Sequence, residues 1–488
     1  MSERPVFPSI EKEKGQQREL WQWTAAEMVS AIKSRKVSSR EIVQSSLDRI
    51  EEVNPKLNAL GEVFAEEALL AAERADQAVA AGEELGPLHG VPMSIKINSD
   101  QKGKATTNGV VAFKENIATE DAPHVANLRK AGAIFVGRNN SPSFSYRWFT
   151  NNDVHGLTLN PWDPTRTPGG SSGGAASAVA SGMMPIAHGN DIGGSIRHPA
   201  YATGIFGLRP TMGRVPSWYG AADQDQPLSV QKMLAQGSLA RSVADLRLAL
   251  QAMAAFDPRD AIHASVPLIG EPLQKPIRVG LLKGSNIAKP VDAVDKALNE
   301  AASRLADAGY IVEEVDVPLF EEAYKLWYLL CMEEFRQIMP LVEEVGDYGM
   351  KKAAEHYYAV AKDWWGPQPG LTEYMNGYAR RGTLIAELQK FLEKYPLLLM
   401  PVSAEQAFEH DADIASVDRM RSVMAAQWSM MAIPMLGFPA MSVPTSVENG
   451  LPTGVQLLGR RFREDTLFDA AEILEAYNTI KTPITPAW

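Results

Sequence analysis

Apolar positions along the chain change period several times, and each change marks an element. From 24 to 36, and again from 38 to 53, they recur every three to four residues, as on the buried face of a helix. Both runs open with a capping box, Thr24 with Glu27 and Ser38 with Glu41. An alanine-rich run from 64 to 81 reads as a third helix. The segments 91-VPMSIKI-97 and 134-IFVG-137 read as strands, with a helix at 122–131 between them. Residues 174–182 are helical in character, 183–199 is a set of short apolar pieces broken by Gly and Pro, and 241–256 is a strongly periodic helix.

Residues 258–276 carry Pro and Gly with few periodic apolar positions and read as a connector. Beyond it, 277-IRVGLL-282, a helix at 291–308 and 310-YIVEEVDV-317 form a βαβ unit, which requires a parallel strand pair. The stretch 320–395 is helical and rich in aromatics. Late strands lie at 397–402, 440–444 and 454–458, and a helix at 464–477 closes the pattern. The whole reads as α/β, a single mixed sheet with helices around it, in one domain spanning 1–488. Within it fall amino-terminal helices (about 20–81), a core (about 85–256) and a helical, aromatic-rich region (about 320–395).

Composition narrows the function. With 488 residues and 45% hydrophobic content, the chain can bury a large core. A formal charge of −11 argues against nucleic-acid or anionic-membrane partners, which need basic patches. The polar start MSERPVFPSIEKEK lacks the apolar core of a signal peptide, and a membrane-spanning helix is not expected. The one cysteine, Cys331, excludes an intramolecular disulfide and fits a reducing compartment, so a cytoplasmic location is expected. The eight histidines show no metal-ligand spacing and read as surface or supporting residues; neither a metal nor a cofactor is expected.

The candidate chemistry lies in 167-TPGGSSGGAAS-177. A phosphate loop needs a lysine after the second glycine pair, and Ala175 stands there. A dinucleotide fold needs a preceding strand, but 160-NPWDPTRTP-168 carries three prolines. The run leads instead into an alanine-rich helix and then a second glycine-rich turn with its own serine, 191-DIGGSIR-197. A third element, 90-GVPMSIKIN-98, puts a lysine in an apolar strand.

In combination, 90-GVPMSIK-96, 169-GGSSGG-174 and 191-DIGGSIR-197 resemble the amidase signature family of serine hydrolases. The flanking runs 156-GLTLNPWDPTRTPGG-170, 204-GIFGLRPTMGRV-215 and 238-SLARSVADL-246 share that resemblance, as do the spacings: Lys96 precedes Ser171 by 75 positions and Ser195 follows it by 24. The resemblance implies an amidase acting on linear carboxylic amides, with esterase side activity. Ser195 is then the acyl-forming nucleophile, Ser171 a bridging serine held by a cis peptide after Gly170, and Lys96 the base. In this family the residue after the lysine is frequently acidic. Here it is Ile97, which either eases formation of the neutral amine or removes a hydrogen bond from the site.

Physical chemistry supplies reasons for that set. A serine hydroxyl needs a base, and a lysine serves only when burial holds it neutral. A middle hydroxyl both accepts and donates, so Ser171 bridges the two, with Ser172 as a hydrogen-bonding neighbour. The N–H groups of Ile192, Gly193, Gly194 and Ser195 would cup the oxyanion of acyl transfer. Asp191 and Arg197 read as a clamp on that turn. Phe144, Tyr146, Trp148, Phe149, Thr150, Asn151 and Asn152 precede the serine loop and form a candidate pocket wall. From the aromatic helices, Tyr324, Trp327, Trp364 and Trp365 are candidates to shape an apolar acyl pocket. Two other readings stay open: the catalytic A-type subunit of a tRNA-dependent amidotransferase, and a non-catalytic binding protein on the same fold. The expected partner is a small-molecule amide, with a homodimer left open.

Overall fold

The computed structural model describes residues 18–218 and 225–488. The polar amino-terminal stretch read above lies outside them. Among the described residues eleven strands form one mixed sheet: β1 (Leu60–Val63), β2 (Pro92–Lys96), β3 (Ile134–Asn139), β4 (Ile186–Asp191), β5 (Phe206–Arg209), β6 (Ala235–Ala240), β7 (Arg278–Leu281), β8 (Ile311–Glu314), β9 (Leu397–Pro401), β10 (Ala440–Glu448) and β11 (Leu451–Gly459). Their spatial order is β1-β3-β2-β4-β6-β5-β10-β11-β9-β7-β8. Strand β2 runs parallel to both β3 and β4, and β7 parallel to β8 and β9; the remaining pairs are antiparallel. The βαβ unit read from the sequence is β7, the helix Asp292–Asp307 and β8.

Alternation along the strands sorts side chains onto two faces. Met93, Ile95, Phe135 and Ile186 join a core with helices Ala25–Lys33, Pro123–Lys130, Val243–Met253 and Glu464–Ala476. On the opposite face Ile134, Val136 and Ala187 pack with helices Ser39–Leu57, Ala65–Ala81 and Gly173–Ala180. Further along that face Leu398, Met400 and Leu458 meet the aromatic helices, including Leu319–Trp327 and Tyr348–Trp365. Lys96 is one position out of step with Met93 and Ile95. It therefore points to the second face, toward the Gly-Ser loop.

Four strands depart from the sequence pattern: β1, β4, β5 and β6. Strands β4 (IAHGND) and β6 (AQGSLA) are buried along their whole length yet built from small and polar residues. Each has a neighbour on both sides, so the ladder satisfies their backbone, while close contacts leave no room for a Cβ at Gly189, 2.8 Å from the Ser172 Oγ, or at Gly237, 2.2 Å from the Leu208 carbonyl oxygen. Apolar alternation is absent for that reason. The helix Arg197–Thr203 likewise replaces part of what reads as broken apolar pieces. The second helix continues through Pro55 to Leu57, beyond the expected end at 53.

The second glycine pair has a packing reason. A Cβ on Gly174 would lie 2.3 Å from the Asn140 nitrogen and 2.5 Å from the Ala59 carbonyl oxygen, both rigid backbone. This close approach seats the helix Gly173–Ala180 against the sheet and so fixes the serines at its start. Gly174→Ala is expected to destabilise the fold by about 1–3 kcal/mol through overpacking, measured as a lower denaturant midpoint at unchanged slope.

Candidate active site

The carboxyl ends of the parallel strands β2 and β4 lie side by side, where α/β sheets characteristically bind ligands. Lys96 closes β2, and Asn190 and Asp191 close β4. Two helix starts face them. Ser171 and Ser172 precede the helix Gly173–Ala180, and Ser195 precedes the helix Arg197–Thr203. The Gly170–Ser171 peptide is cis, as the resemblance implies.

Lys96 is fully buried. Its Nζ lies 2.7 Å from the Ser171 Oγ and 2.9 Å from the Asn190 Oδ1. Burial lowers its amine to about 7, against the upward pull of the Asp191 charge. Ile97 is also buried, and besides Ser171 the amine of Lys96 meets the neutral Asn190 amide oxygen. The Asn190 Nδ2 donates to the Asn98 Oδ1 at 2.9 Å, and the Asn98 Nδ2 donates to the Ser145 Oγ at 3.0 Å. Sequence reading missed both asparagines. Asn98 stands two positions after Lys96 in the 90-GVPMSIKIN-98 element, but β2 ends at Lys96 and Asn98 lies in a turn, so strand alternation does not place it.

Exposure rises along the set: Lys96 0%, Ser171 1%, Ser195 7%. The base candidate sits at the bottom and the nucleophile candidate nearest the opening. Among the described residues the Ser195 hydroxyl makes no hydrogen bond. The two serine loops are joined through the backbone, where the Ser172 N–H donates to the Ser195 carbonyl at 3.1 Å. The Ser172 hydroxyl is buried without a partner among the described residues, so its tie to the site is this backbone bond.

The turn after β4 is organised by Asp191. Its carboxylate accepts from the Gly194 N–H at 2.8 Å and the Ile196 N–H at 3.3 Å. It also accepts from the Arg197 Nε at 2.9 Å and Nη2 at 3.0 Å, with both side chains at 0% exposure. Burial pushes the Asp191 carboxyl upward, but the Arg197 and Arg209 guanidiniums and the Gly194 N–H together outweigh it and hold the group below its ordinary range. Arg209 donates to the Asp191 carbonyl at 2.7 Å. The Gly194 N–H is thereby committed to Asp191, and the N–H groups of Ile192, Gly193 and Ser195 are those without an acceptor among the described residues. Gly194 adopts φ +98°, a conformation that favours glycine.

The candidate pocket residues divide. Trp148 and Trp327 reach the turn itself, their indole nitrogens donating to the carbonyls of Gly193 and Ile192. Tyr146 is half-buried, its ring 4.4 Å from that of Phe335 and 5.3 Å from that of Tyr357. Thr150 is fully buried and donates to the Gly169 carbonyl at 2.8 Å, behind the serine loop. Asn152 is buried and holds Asn140 and Ser141. Asn151 is half-buried. Phe144 has φ +54° and packs edge-on to Phe113. Phe149 and Tyr324 belong to the core, while Trp364 packs on Tyr324 and Trp365 donates to the Lys325 carbonyl.

The histidines are more interior than the sequence suggests. His124, His188 and His198 are fully buried; the His124 and His188 rings stack at 4.5 Å, and the His188 Nε2 meets the Gln236 Oε1 at 3.0 Å. Burial lowers His198 to about 3, so it is neutral and remains so through the neutral pH range. No group of three His, Cys, Asp or Glu side chains converges in a metal-holding arrangement among the described residues. No helix there is long and apolar enough to cross a membrane.

Asp191→Asn would leave the Arg197 charge buried and uncompensated. Breaking a buried pair in this way costs about 3–5 kcal/mol, so a large drop in denaturation midpoint is expected, with Lys96→Met as a control that removes no pair.

Comparison with known proteins shows the family. The sequence model described as Amidase matches residues 41–468. An indoleacetamide hydrolase of Bradyrhizobium diazoefficiens is 43% identical over 465 residues, covering 93% of this chain and 86% of that protein. The A subunit of the glutamyl-tRNA(Gln) amidotransferase from Moorella thermoacetica is 34% identical, covering 94% and 97%. Among solved structures, a bacterial aryl acylamidase of the amidase signature family superposes with a TM-score of 0.77 at 26% identity, covering 93% of this chain and 96% of that one. The chain belongs to the amidase family, and it is a hydrolase of carboxylic amides.

Proposed function

We propose that this enzyme hydrolyses a primary amide with an aryl-bearing acyl group, of the indole-3-acetamide type, by forming an acyl-enzyme on Ser195. The observation that carries the catalytic reading is the buried contact of Lys96 Nζ with Ser171 Oγ at 2.7 Å. A neutral lysine has two N–H groups and one lone pair. One N–H is directed at Asn190, whose Oδ1 only accepts. The lone pair then receives the Ser171 proton as the Ser171 oxygen takes the proton of Ser195. Hydrogen bonds of this kind often tighten only in the complex with substrate, so the Ser195 hydroxyl turns toward Ser171 when the amide binds.

The Ser195 oxygen attacks the amide carbon, and the tetrahedral oxyanion lies against the Gly193 and Ser195 N–H groups, with Ile192 alongside. The proton returns through Ser171 to the departing nitrogen, ammonia leaves, and water enters by the same relay to release the acid. No histidine is needed, which accords with the neutral, buried His198.

The acyl preference is supported by the indoleacetamide hydrolase relative and by the aromatic side chains Trp148 and Trp327 beside the turn. The amidotransferase is the more distant relative, and its reading gains no separate support from the site. A cytoplasmic location belongs to the same proposal, supported by the single cysteine.

A panel of purified-enzyme assays tests this. Indole-3-acetamide and phenylacetamide are expected to have kcat/KM at least tenfold above acetamide and glutamine; a preference for glutamine would overturn the reading. Ser195→Ala should abolish turnover and covalent labelling by a fluorophosphonate. The base acts as the neutral amine, whose fraction rises with pH. Activity should therefore climb from acid pH through a midpoint near the Lys96 value of about 7 and level off above it. Lys96→Ala should remove that rise along with most of the rate.

A further inference from the structure

The turn at Ile192–Ser195 is held from outside by two tryptophans that the relay does not use. The Trp327 Nε1 donates to the Ile192 carbonyl at 2.7 Å, and the Trp148 Nε1 donates to the Gly193 carbonyl at 2.9 Å. The rings come from elements far apart in sequence, Trp327 from the helix Leu319–Trp327 and Trp148 from the segment before the serine loop. Both are nearly buried, at 7% and 4% exposure. Each is braced edge-on by another aromatic ring, Trp327 by Tyr328 at 5.1 Å and Trp148 by Tyr357 at 5.9 Å.

Across a trans peptide the carbonyl and the following N–H point in opposite directions. A donor that fixes one carbonyl therefore aims the next N–H away from itself. Trp327, on the Ile192 carbonyl, directs the Gly193 N–H to the opposite side. Trp148, on the Gly193 carbonyl, directs the Gly194 N–H, which meets Asp191 at 2.8 Å. The His198 N–H, on the Gly194 carbonyl at 2.8 Å, directs the Ser195 N–H in the same manner. Three successive peptide planes are thus each set by a separate donor. The missing side chain of Gly193 is part of the fit, since a Cβ there would stand 3.2 Å from Trp327 Cζ2 and 3.2 Å from Met431 Sδ.

We infer that Trp148 and Trp327 are positioning residues for the oxyanion site: Trp327 aims the Gly193 N–H through the Ile192 carbonyl, and Trp148, with Asp191, fixes the Gly193–Gly194 plane that lies between the peptides carrying the Gly193 and Ser195 N–H groups. This rests on the proposed roles of Ser195 and its turn. It also ties the aromatic helices, read from sequence as shaping an acyl pocket, to the rate of the chemical step. An acyl group that packs against these rings would steady the donors that its own carbonyl needs.

Trp148→Phe and Trp327→Phe keep most of the aromatic packing and remove the N–H. Each is assayed on phenylacetamide, with phenylacetaldehyde as an inhibitor whose serine adduct is tetrahedral like the reacting amide. Full loss of an oxyanion donor costs about 10²–10³ in rate. A loosened donor should cost part of that, so kcat is expected to fall about tenfold in each variant. The inhibition constant for phenylacetaldehyde should rise by a similar factor while KM changes less than twofold. Having two sites on separate elements leaves one arm readable if the other variant does not fold. The inference is overturned if kcat stays within twofold of wild type, if KM rises with kcat unchanged, or if kcat falls with aldehyde affinity intact. Ser195→Ala run in parallel separates the two levels: activity surviving there defeats the nucleophile assignment, whereas an inactive Ser195→Ala beside fully active tryptophan variants defeats only this inference.

Discussion

The structure depends on keeping one lysine out of water with uncharged partners. Lys96 ends a strand that has parallel neighbours on both sides, and its amine meets a hydroxyl and an amide oxygen. A carboxylate in hydrogen-bond contact would hold the amine protonated. The nearby carboxylate, Asp191, is instead engaged by Arg197 and by two backbone N–H groups, so most of its charge is answered elsewhere. Burial then prevails over attraction, and the amine is lowered to about 7.

Separating those two charge systems gives one carboxylate a purely architectural task. Asp191 ties down the turn that carries Ser195, while Lys96 faces the other side of the strand end through Ser171. Adjacent strands deliver both, with Asn190 between them in sequence and in space. In the proposed roles the arrangement resembles a histidine-based serine hydrolase, in which a neutral base activates a serine nucleophile, with the Ser171 hydroxyl added between the two. It differs in that the base is kept neutral by the fold alone.

Much of the site was legible in the chain because its signals are local. Two glycine-flanked serines, a second glycine turn and a lysine in an apolar strand each occupy a few residues, and their combined spacing carries the family resemblance. The contacts that join them are not local. Asn190 reaches Lys96 across 94 positions and Trp327 reaches Ile192 across 135, and no short pattern encodes either. The same contrast holds for the fold. Strand β2 and the βαβ unit at β7 and β8 show apolar patterns of their own. Strands β4 and β6 lie in the middle of the sheet with small and polar side chains, so burial there follows from their neighbours rather than from their own composition.

The central claim is that Lys96 is a neutral amine near physiological pH. Carbon-13 NMR of lysine labelled at Cε, recorded across a pH series on the wild type and on Lys96→Met, tests it without reference to turnover. The account predicts one resonance, missing from the variant, that titrates with a midpoint near 7. A Lys96 resonance whose midpoint stays close to that of ordinary surface lysines, about 10.4, would contradict it.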